Sequence, residues 1–456
     1  MKDLKNGRML KTTRISVLIS ALVITVVLSV FCAVSLIAGS NEAAPTKDEI
    51  AANISAVLES GRDYEYAALY LYDFGIKDFD AYKFKVAENF FDRYSIYEQK
   101  PKAELAAKTA QLYLEFYFDA TSTADTDLVT DRLITCFVEA TGDKYAIYRT
   151  ASEYEQYNTD MSGTFVGIGV YVRYSEAERK LQVIEVIEGS GAEDAGILAG
   201  DLLTEVDGIR LTDVGYDTFV SKIRGEEGTT VNVKVLRGDE ELTFTPTRKQ
   251  VTEKTVKYSI DEDLIGYLQI TAFKNNTATQ FKEAIDALET KGCRGIIFDL
   301  RDNPGGYLLS VVEVIDYIVP VGTRIASYTD STHEVVYEAE SEHALTVPIT
   351  VIFNEYTASA GELFSAAMRD FAAMNLLECT TVGINTYSKG VMQNTGVFND
   401  GSTLTFTIAY YNPPCDVNYD GIGVSPDVEV EWIAGTDTQL DAAYTEITKL
   451  INNESK

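Results

Sequence analysis

The sequence predicts a multidomain chain of mixed α+β and α/β class, and three observations carry that prediction. A charge-free apolar stretch near the N-terminus has the length of a transmembrane helix. A segment with apolar residues at three- and four-residue spacing follows it and predicts helices. Beyond Gly163, short β-type stretches separated by glycines lead into alternating strands and helices, which indicate a mostly β module and then an α/β domain with a mainly parallel sheet.

The charge balance excludes some classes of partner. The chain has 39 Lys and Arg against 70 Asp and Glu, a net charge of −31. Binding phosphates requires clustered Lys and Arg, so nucleic acid is not an expected partner, and docking on anionic lipid by charge is not expected either. Only two histidines are present, His333 and His343, in an acidic stretch that reads as a solvated loop. Chemistry that needs a histidine base or several histidine ligands is therefore disfavoured.

The N-terminus predicts a single-pass membrane anchor. Residues 1–14 carry five basic side chains and one acid, or +4, and form the expected cytoplasmic tail. Residues 15–38 are free of charge and long enough to span a bilayer. That stretch is longer than the core of a signal peptide, so an uncleaved transmembrane anchor is favoured and cleavage near Gly39 is the alternative. The remainder of the chain is expected outside the cell.

Two regions precede the α/β domain. The helical N-terminal region, residues 45–160, has predicted helices over 47–59, 102–118 and 125–141, with Asp125 as N-cap and Gly142 as the C-terminal stop. The β module, residues 161–248, has predicted strands over 164–174, 180–187, 201–211 and 230–237 and a helix over 214–225.

The α/β domain, residues 249–456, follows. Strands are predicted over 264–270, 294–300 and 348–354, and helices over 277–292, 308–319 and 360–373. This alternation is typical of crossover connections around a parallel sheet. Four cysteines lie beyond the anchor without local clustering, and buried free thiols are expected: Cys136, Cys293, Cys379 and Cys415.

Two turns of the α/β domain contain candidate catalytic residues. Ser359 lies at a strand-to-helix turn among small residues, an arrangement suited to a nucleophile, although an N-cap is the structural alternative. A serine nucleophile needs a base, and a desolvated lysine can provide one. Lys389 has no acidic residue within nine positions on either side, and Gln393, four residues on, could orient its amine. The alternative for Lys389 is an ordinary turn residue.

A third element is the glycine loop 301–306, which follows the buried strand 294–300. Its backbone amides could form an oxyanion hole, and a plain turn is the alternative. A fourth pattern, formed by Asp416, Asn418, Asp420 and Asp427, has the spacing of a calcium loop. It has no flanking helices, so an acidic hairpin is favoured over a calcium site.

The ordered motifs resemble those of the carboxyl-terminal processing peptidases, also called tail-specific proteases. The matching segments are Asp299 to Gly306, Thr357 to Glu362 and Thr386 to Gln393. Segments 142–148 and 421–430 are similar as well, so the resemblance covers most of 125–433. The chain departs from the family pattern in its 30-residue interval between Ser359 and Lys389, and in Tyr387-Ser388 where Phe-Gly is usual.

This resemblance implies a Ser-Lys mechanism with no cofactor and no metal. Ser359 is the implied nucleophile and Lys389 the implied neutral base, which Gln393 orients. The implied oxyanion hole combines the amide of Ala360 with that of Gly305 or Gly306.

The β module resembles the PDZ domain that these peptidases carry, which adds the C-terminal tail of a substrate as a strand. The implied peptide-binding residues are Val166, Gly167, Ile168, Gly169 and Val170. The expected protein is a membrane-anchored serine endopeptidase that cleaves extracytoplasmic polypeptides. The alternative function is a catalytically silent PDZ scaffold that binds protein tails.

Overall fold

A computed structural model describes residues 45–118, 125–175, 179–330 and 333–454. The predicted tail and anchor, residues 1–38, lie outside these ranges. Among the helices in the described ranges, none combines the length and the apolar character needed to cross a bilayer.

The helical region contains six helices within the described residues. They are α1 (Lys47–Glu59), α2 (Ala67–Phe74), α3 (Ala81–Tyr94), α4 (Lys102–Phe116), α5 (Thr126–Thr141) and α6 (Ala151–Ser162). The three predicted helices are confirmed, with the second ending two residues early. Asp125 caps α5 by accepting from the amide of Leu128, and Gly142 ends it in the left-handed conformation at φ 84°.

The helical region packs on the α/β domain rather than standing apart. Its core includes Phe84 and Phe137 together with Phe398 and Phe406, which lie more than 250 residues further along the chain. The ammonium of Lys83 adds polar contacts, at 2.8 Å from Asp131 and 2.7 Å from Asp400. Burial of these aromatic rings holds the region against the sheet that carries the site.

The β module is built on a sheet with strand order β3-β4-β5-β7-β8, in which β6 pairs with β5. Its elements are β2 (Thr164–Gly167), β3 (Val170–Ser175), β4 (Lys180–Val186), α7 (Gly191–Ala195), β5 (Leu202–Val206), β6 (Ile209–Arg210), α8 (Leu211–Val214), α9 (Tyr216–Ile223), β7 (Val233–Arg237) and β8 (Glu240–Phe244). β9 (Lys249–Thr252) returns to pair with β2 in a separate two-stranded ribbon.

The predicted strand over 164–174 is therefore wrong as a single element. It divides at Ile168-Gly169 into β2 and β3, which belong to different sheets. Gly169 has φ 81°, and a Cβ there would lie 2.3 Å from the Cβ of Ser190. The chain needs glycine at this break because a side chain would meet both backbone strain and a steric clash.

The α/β domain centres on a sheet with strand order β10-β11-β12-β15-β16-β19, which confirms the mainly parallel prediction. β10 (Val256–Ile260) is antiparallel to β11 (Ile265–Ile270), whereas the other neighbours are parallel. The remaining strands are β12 (Gly295–Asp299), β15 (Ile349–Phe353), β16 (Cys379–Gly383) and β19 (Val428–Glu429). The helices are α10 (Thr277–Thr290), α11 (Leu308–Asp316), α12 (Ala360–Ala373) and α13 (Thr438–Glu454).

A second sheet in the α/β domain lay outside the predicted alternation. It has the order β1-β18-β13-β14, and β17 pairs with β18. Its strands are β1 (Ile147–Arg149), β13 (Arg324–Thr329), β14 (Glu334–Glu338), β17 (Val391–Val397) and β18 (Thr403–Asn412). Pairing of β1 with β18 joins residues that are about 256 positions apart in the chain. Such long-range antiparallel pairing has no local sequence signal.

The four cysteines of the described residues are free, as expected, but not all buried. Cys136 and Cys293 are buried, Cys379 is half-buried, and Cys415 is exposed.

Candidate active site

The serine turn joins β15 to α12 and has a strained backbone. Ser359 has φ 53° and ψ −116°. An ordinary N-cap, such as Thr46 before α1, has φ −72° and ψ 164°. A non-glycine residue held in a sparsely populated region costs about 1–3 kcal/mol, so a plain capping role does not explain this conformation. A sharp, strained strand-to-helix turn is typical of an exposed serine nucleophile.

A single buried carboxylate holds the serine turn and the lysine turn together. Glu362, in the first turn of α12, is fully buried and accepts from the amide of Ser359 at 2.9 Å. It also accepts from the amides of Ser388 and Lys389, both at 2.7 Å, and from the hydroxyl of Thr386 at 2.5 Å. In the sequence Glu362 is only the last residue of the motif Thr357 to Glu362, and nothing local signals this bridging role.

The lysine turn is fixed from its other side by the loop after β18. The amide of Gly390 donates to Asp420 at 3.0 Å, and Asn418 donates to the carbonyl of Gly390 at 2.8 Å. The hydroxyl of Tyr411 donates to the carbonyl of Lys389 at 3.0 Å. These contacts leave the backbone on both sides of the Lys389 side chain with few alternative positions.

The four residues of the calcium-like motif make structural contacts within the fold. Its two central residues bind Gly390, as described above. Asp416 forms an ion pair with Arg324 at 2.6 Å, and Asp427 accepts two hydrogen bonds from Thr381. None of the four belongs to a group of convergent metal-type ligands within the described residues. These contacts give the motif a structural role in a loop, and the predicted hairpin is wrong because the flanking strands β18 and β19 belong to different sheets.

The side chain of Lys389 is half-buried. Its Nζ is 4.5 Å from the centre of the Tyr145 ring and has no hydrogen-bond partner among the described residues. Burial lowers the pKa of Lys389 below the ordinary lysine value and outweighs the nearby carboxylates of Asp143, Glu362 and Asp420. Lys389 has no acidic neighbours in the sequence, but folding brings remote carboxylates close to its turn. The expectation of acid-free surroundings is therefore wrong. Those carboxylates already accept backbone amides.

One cavity of about 860 Å³ brings the candidate catalytic residues together. Its lining includes Gly306, Ser359, Ala360, Lys389 and Gln393, and neither histidine is among the lining residues. No direct hydrogen bond joins Ser359 and Lys389 within the described part of the chain. The amide of Gln393 donates to the Val391 carbonyl at 3.3 Å and to the Thr407 hydroxyl at 3.4 Å rather than to Lys389. Catalytic hydrogen bonds are often longer in the absence of substrate.

The backbone amides near Ser359 narrow the candidates for an oxyanion hole. Gly305 donates its amide to the Asn303 side chain at 2.8 Å, whereas the amides of Gly306 and Ala360 have no partner among the described residues. A Cβ on Gly306 would lie 2.1 Å from the Phe273 carbonyl oxygen, so the loop needs glycine to approach this closely. Of the two predicted loop amides, that of Gly306 is the one free to bind an oxyanion.

The predicted peptide-binding residues of the β module lie around the break between β2 and β3. Val166 and Gly167 pair with β9, and the Ile168 side chain is buried in the module core. Val170 begins β3, which is at the edge of its sheet. The amides of Ile168 and Gly169 have no hydrogen-bond partner within the described ranges. The segment thus presents an edge strand next to free amides, and Ile168 could contribute only its backbone.

Comparison with known proteins identifies similar families and relatives. A model of peptidase family S41 matches residues 264–430, and a PDZ domain model matches residues 166–246. The carboxy-terminal processing protease CtpA of Bacillus subtilis is 30% identical over 327 residues, which cover 71% of this chain and 68% of the relative. A probable CtpA-like serine protease of Staphylococcus haemolyticus is 33% identical over 291 residues, 63% of this chain and 57% of the relative.

Coverage of the relatives is incomplete. The chain spans less than two-thirds of the staphylococcal relative's length. A solved structure of a photosystem II D1 C-terminal processing protease is similar with a TM-score of 0.45 and 24% identity, covering 76% of this chain and 92% of that one.

Proposed function

The chain belongs to peptidase family S41, and on that premise we propose that it is a serine endopeptidase in which Lys389 activates Ser359. The observation that carries the proposal is Glu362. This buried carboxylate binds the backbone of a strained serine and the backbone of a desolvated lysine, and both side chains line one cavity. A turn with no chemical role has no need of this arrangement.

In the proposed mechanism the neutral Lys389 amine removes the proton from the Ser359 hydroxyl. The hydroxyl oxygen attacks the substrate carbonyl, and the amides of Gly306 and Ala360 donate to the oxyanion. Lys389 then gives its proton to the leaving amine, and water hydrolyses the acyl-enzyme. The face of the Tyr145 ring stabilises the ammonium that exists between these two proton transfers.

We assign Gln393 the role of orienting the Lys389 amine once substrate is bound. Its present hydrogen bonds, at 3.3 and 3.4 Å, are long and can be exchanged at little cost. It lines the same cavity as the two catalytic residues.

The PDZ domain is proposed to bind the C-terminal tails of polypeptide substrates. Support comes from the position of β3 at the sheet edge and from the free amides of Ile168 and Gly169. An extended peptide can pair with such an edge while loop amides bind its terminal carboxylate.

The proposed location is the cell membrane, with the N-terminus in the cytoplasm and the peptidase outside. The charge-free residues 15–38 and the +4 charge of residues 1–14 support this orientation. Protease added outside intact cells is expected to digest the β module; protection of the module until the cells are lysed would contradict the orientation.

The test of the proposed function uses the full chain in detergent with an unfolded protein substrate. Ser359→Ala and Lys389→Ala are expected to abolish cleavage, while the exposed controls Ser259→Ala and Lys291→Ala cleave at the wild-type rate. Equal cleavage by all five proteins would contradict the assignment. No cleavage by wild type, combined with binding of tail peptides, would favour the scaffold alternative.

A further inference from the structure

The floor of the catalytic cavity is a three-stranded part of the second sheet. Thr405 of β18 pairs with Ile147 of β1 on one side and with Thr395 of β17 on the other. Side chains two residues apart on a strand point to the same face, so Arg149 follows Ile147 along this floor. Thr395 lies two residues after Gln393 on β17, which is about 7 Å further along the strand and further from Lys389.

Arg149 lines this cavity and lacks an acidic partner. Its guanidinium donates to the Thr405 hydroxyl at 3.3 Å and lies 4.3 Å from the centre of the Tyr157 ring. No carboxylate of the described residues lies within 4.0 Å of it. By contrast, Arg301 and Arg324 each bind a carboxylate at 2.6 Å.

Other described arginines, such as Arg173 and Arg369, also lack an ion pair within the described ranges, and what distinguishes Arg149 is that its unpaired guanidinium lines the catalytic cavity. Acidic residues outnumber basic ones by 70 to 39, so carboxylates are abundant for pairing. A guanidinium has five N–H donors in a planar fork that fits a carboxylate in a bidentate manner. One long hydrogen bond to Thr405 leaves most of these donors unused, and stacking on Tyr157 restricts the plane in which they lie.

We propose that Arg149 is a specificity-determining residue that binds a carboxylate of the substrate within the catalytic cavity. This inference rests on the proposed peptidase function. The carboxylate comes either from an acidic side chain or from the C-terminus of the polypeptide. An extended substrate advances about 3.3 Å per residue, so a carboxylate bound at Arg149 occupies a fixed position relative to the scissile bond, which the experiment identifies.

The first arm of the test measures cleavage by the full chain in detergent. An unstructured peptide library is digested and its cleavage sites are mapped by mass spectrometry, with every peptide made both as a free acid and as a C-terminal amide. The position enriched in Asp or Glu then defines a pair of fluorogenic peptides that differ only as Glu and Gln. We expect wild type to prefer the carboxylate-bearing peptide by about tenfold in kcat/KM.

Variants assign that preference to Arg149. Arg149→Gln is expected to remove it by lowering kcat/KM for the Glu peptide to about that for the Gln peptide, and Arg149→Lys is expected to retain part of it. Arg149→Glu should instead favour a peptide with Lys at that position. Arg173→Gln, an exposed arginine of the β module, is the matched control and should keep the wild-type preference.

A second arm measures binding and does not depend on turnover. In the Ser359→Ala background, the carboxylate-bearing peptide is expected to bind about tenfold more tightly than its neutral partner, and Arg149→Gln should abolish the difference. Failure of wild type to cleave any peptide contradicts the proposed function alone. A preference that is absent in binding, or that survives Arg149→Gln, overturns the inference about Arg149.

Discussion

The serine turn and the lysine turn differ in how the chain specifies them. The serine turn connects a buried strand directly to a helix, and its position follows from local sequence pattern. The lysine turn has no such neighbours. Its backbone is bound by Glu362, Asn418 and Asp420, which lie about 27 to 31 positions away. The proposed nucleophile is therefore placed by local structure and the proposed base by tertiary hydrogen bonds, and Glu362, which binds both turns, makes the two placements interdependent.

The largest effects are expected when the proposed nucleophile and the proposed base are substituted, singly and together. Ser359→Ala and Lys389→Ala are each expected to lower kcat/KM by about 10³-fold or more. If the two groups act as one unit, the double variant is no worse than either single variant, because the second change removes nothing further. Multiplication of the two losses would show that the residues act separately.

Glu362→Gln tests whether this buried carboxylate holds the serine turn and the lysine turn together. Glutamine keeps one acceptor oxygen, so two of the four donors that Glu362 binds lose their acceptor inside the protein and face an NH₂ group instead. We expect the free energy of unfolding, measured by denaturant titration, to fall by about 2–3 kcal/mol. We also expect kcat/KM to fall, because the serine turn and the lysine turn are no longer held in place. The exposed Glu283→Gln should stay within about 0.5 kcal/mol of wild type. If Glu362→Gln and Glu283→Gln were equally stable, the proposal that Glu362 holds the two turns together would be contradicted.

Asn418→Ala removes side-chain hydrogen bonds to Gly390, Tyr411 and Asp420 but no hydrogen bond to the serine turn. Loss of its bond to the Gly390 carbonyl is expected to cost about 1–2 kcal/mol of unfolding free energy. Because the serine turn is untouched, we expect kcat to fall with KM nearly constant in steady-state assays. A change confined to KM would indicate that this loop acts on substrate binding instead.

Ser388→Gly should have the smallest effect. Ser388 has φ 81°, which glycine adopts without the steric cost that a side chain incurs. After the larger backbone entropy of unfolded glycine is subtracted, we expect stability to rise by at most about 1 kcal/mol in thermal unfolding, with activity retained. Ser95→Gly, at φ −65°, is the control and should destabilise. Destabilisation of both to the same extent would mean that the strain at Ser388 is not released.

The sequence could predict the helices and strands that have local signals, but few of the tertiary contacts between them. The helix 360–373, the Asp125 cap and the parallel strands follow from periodicity and capping chemistry. The second sheet could not be predicted, since β1 pairs with a strand from the other end of the chain. The bridging role of Glu362 was missed for the same reason, as were the acids near Lys389.

The most direct test of the account is the pH dependence of Ser359 acylation, followed by mass spectrometry with a serine-reactive acylating probe. In the proposed mechanism the neutral amine is the base, and burial lowers the pKa of Lys389. The rate should therefore rise with pH, and the midpoint of the rise should lie below the ordinary lysine value of 10.5 because the pKa of the base is lowered. Lys389→Ala should remove this rising limb and most of the rate. Equally fast labelling of Ser359 in Lys389→Ala at every pH would contradict the proposal that Lys389 activates Ser359.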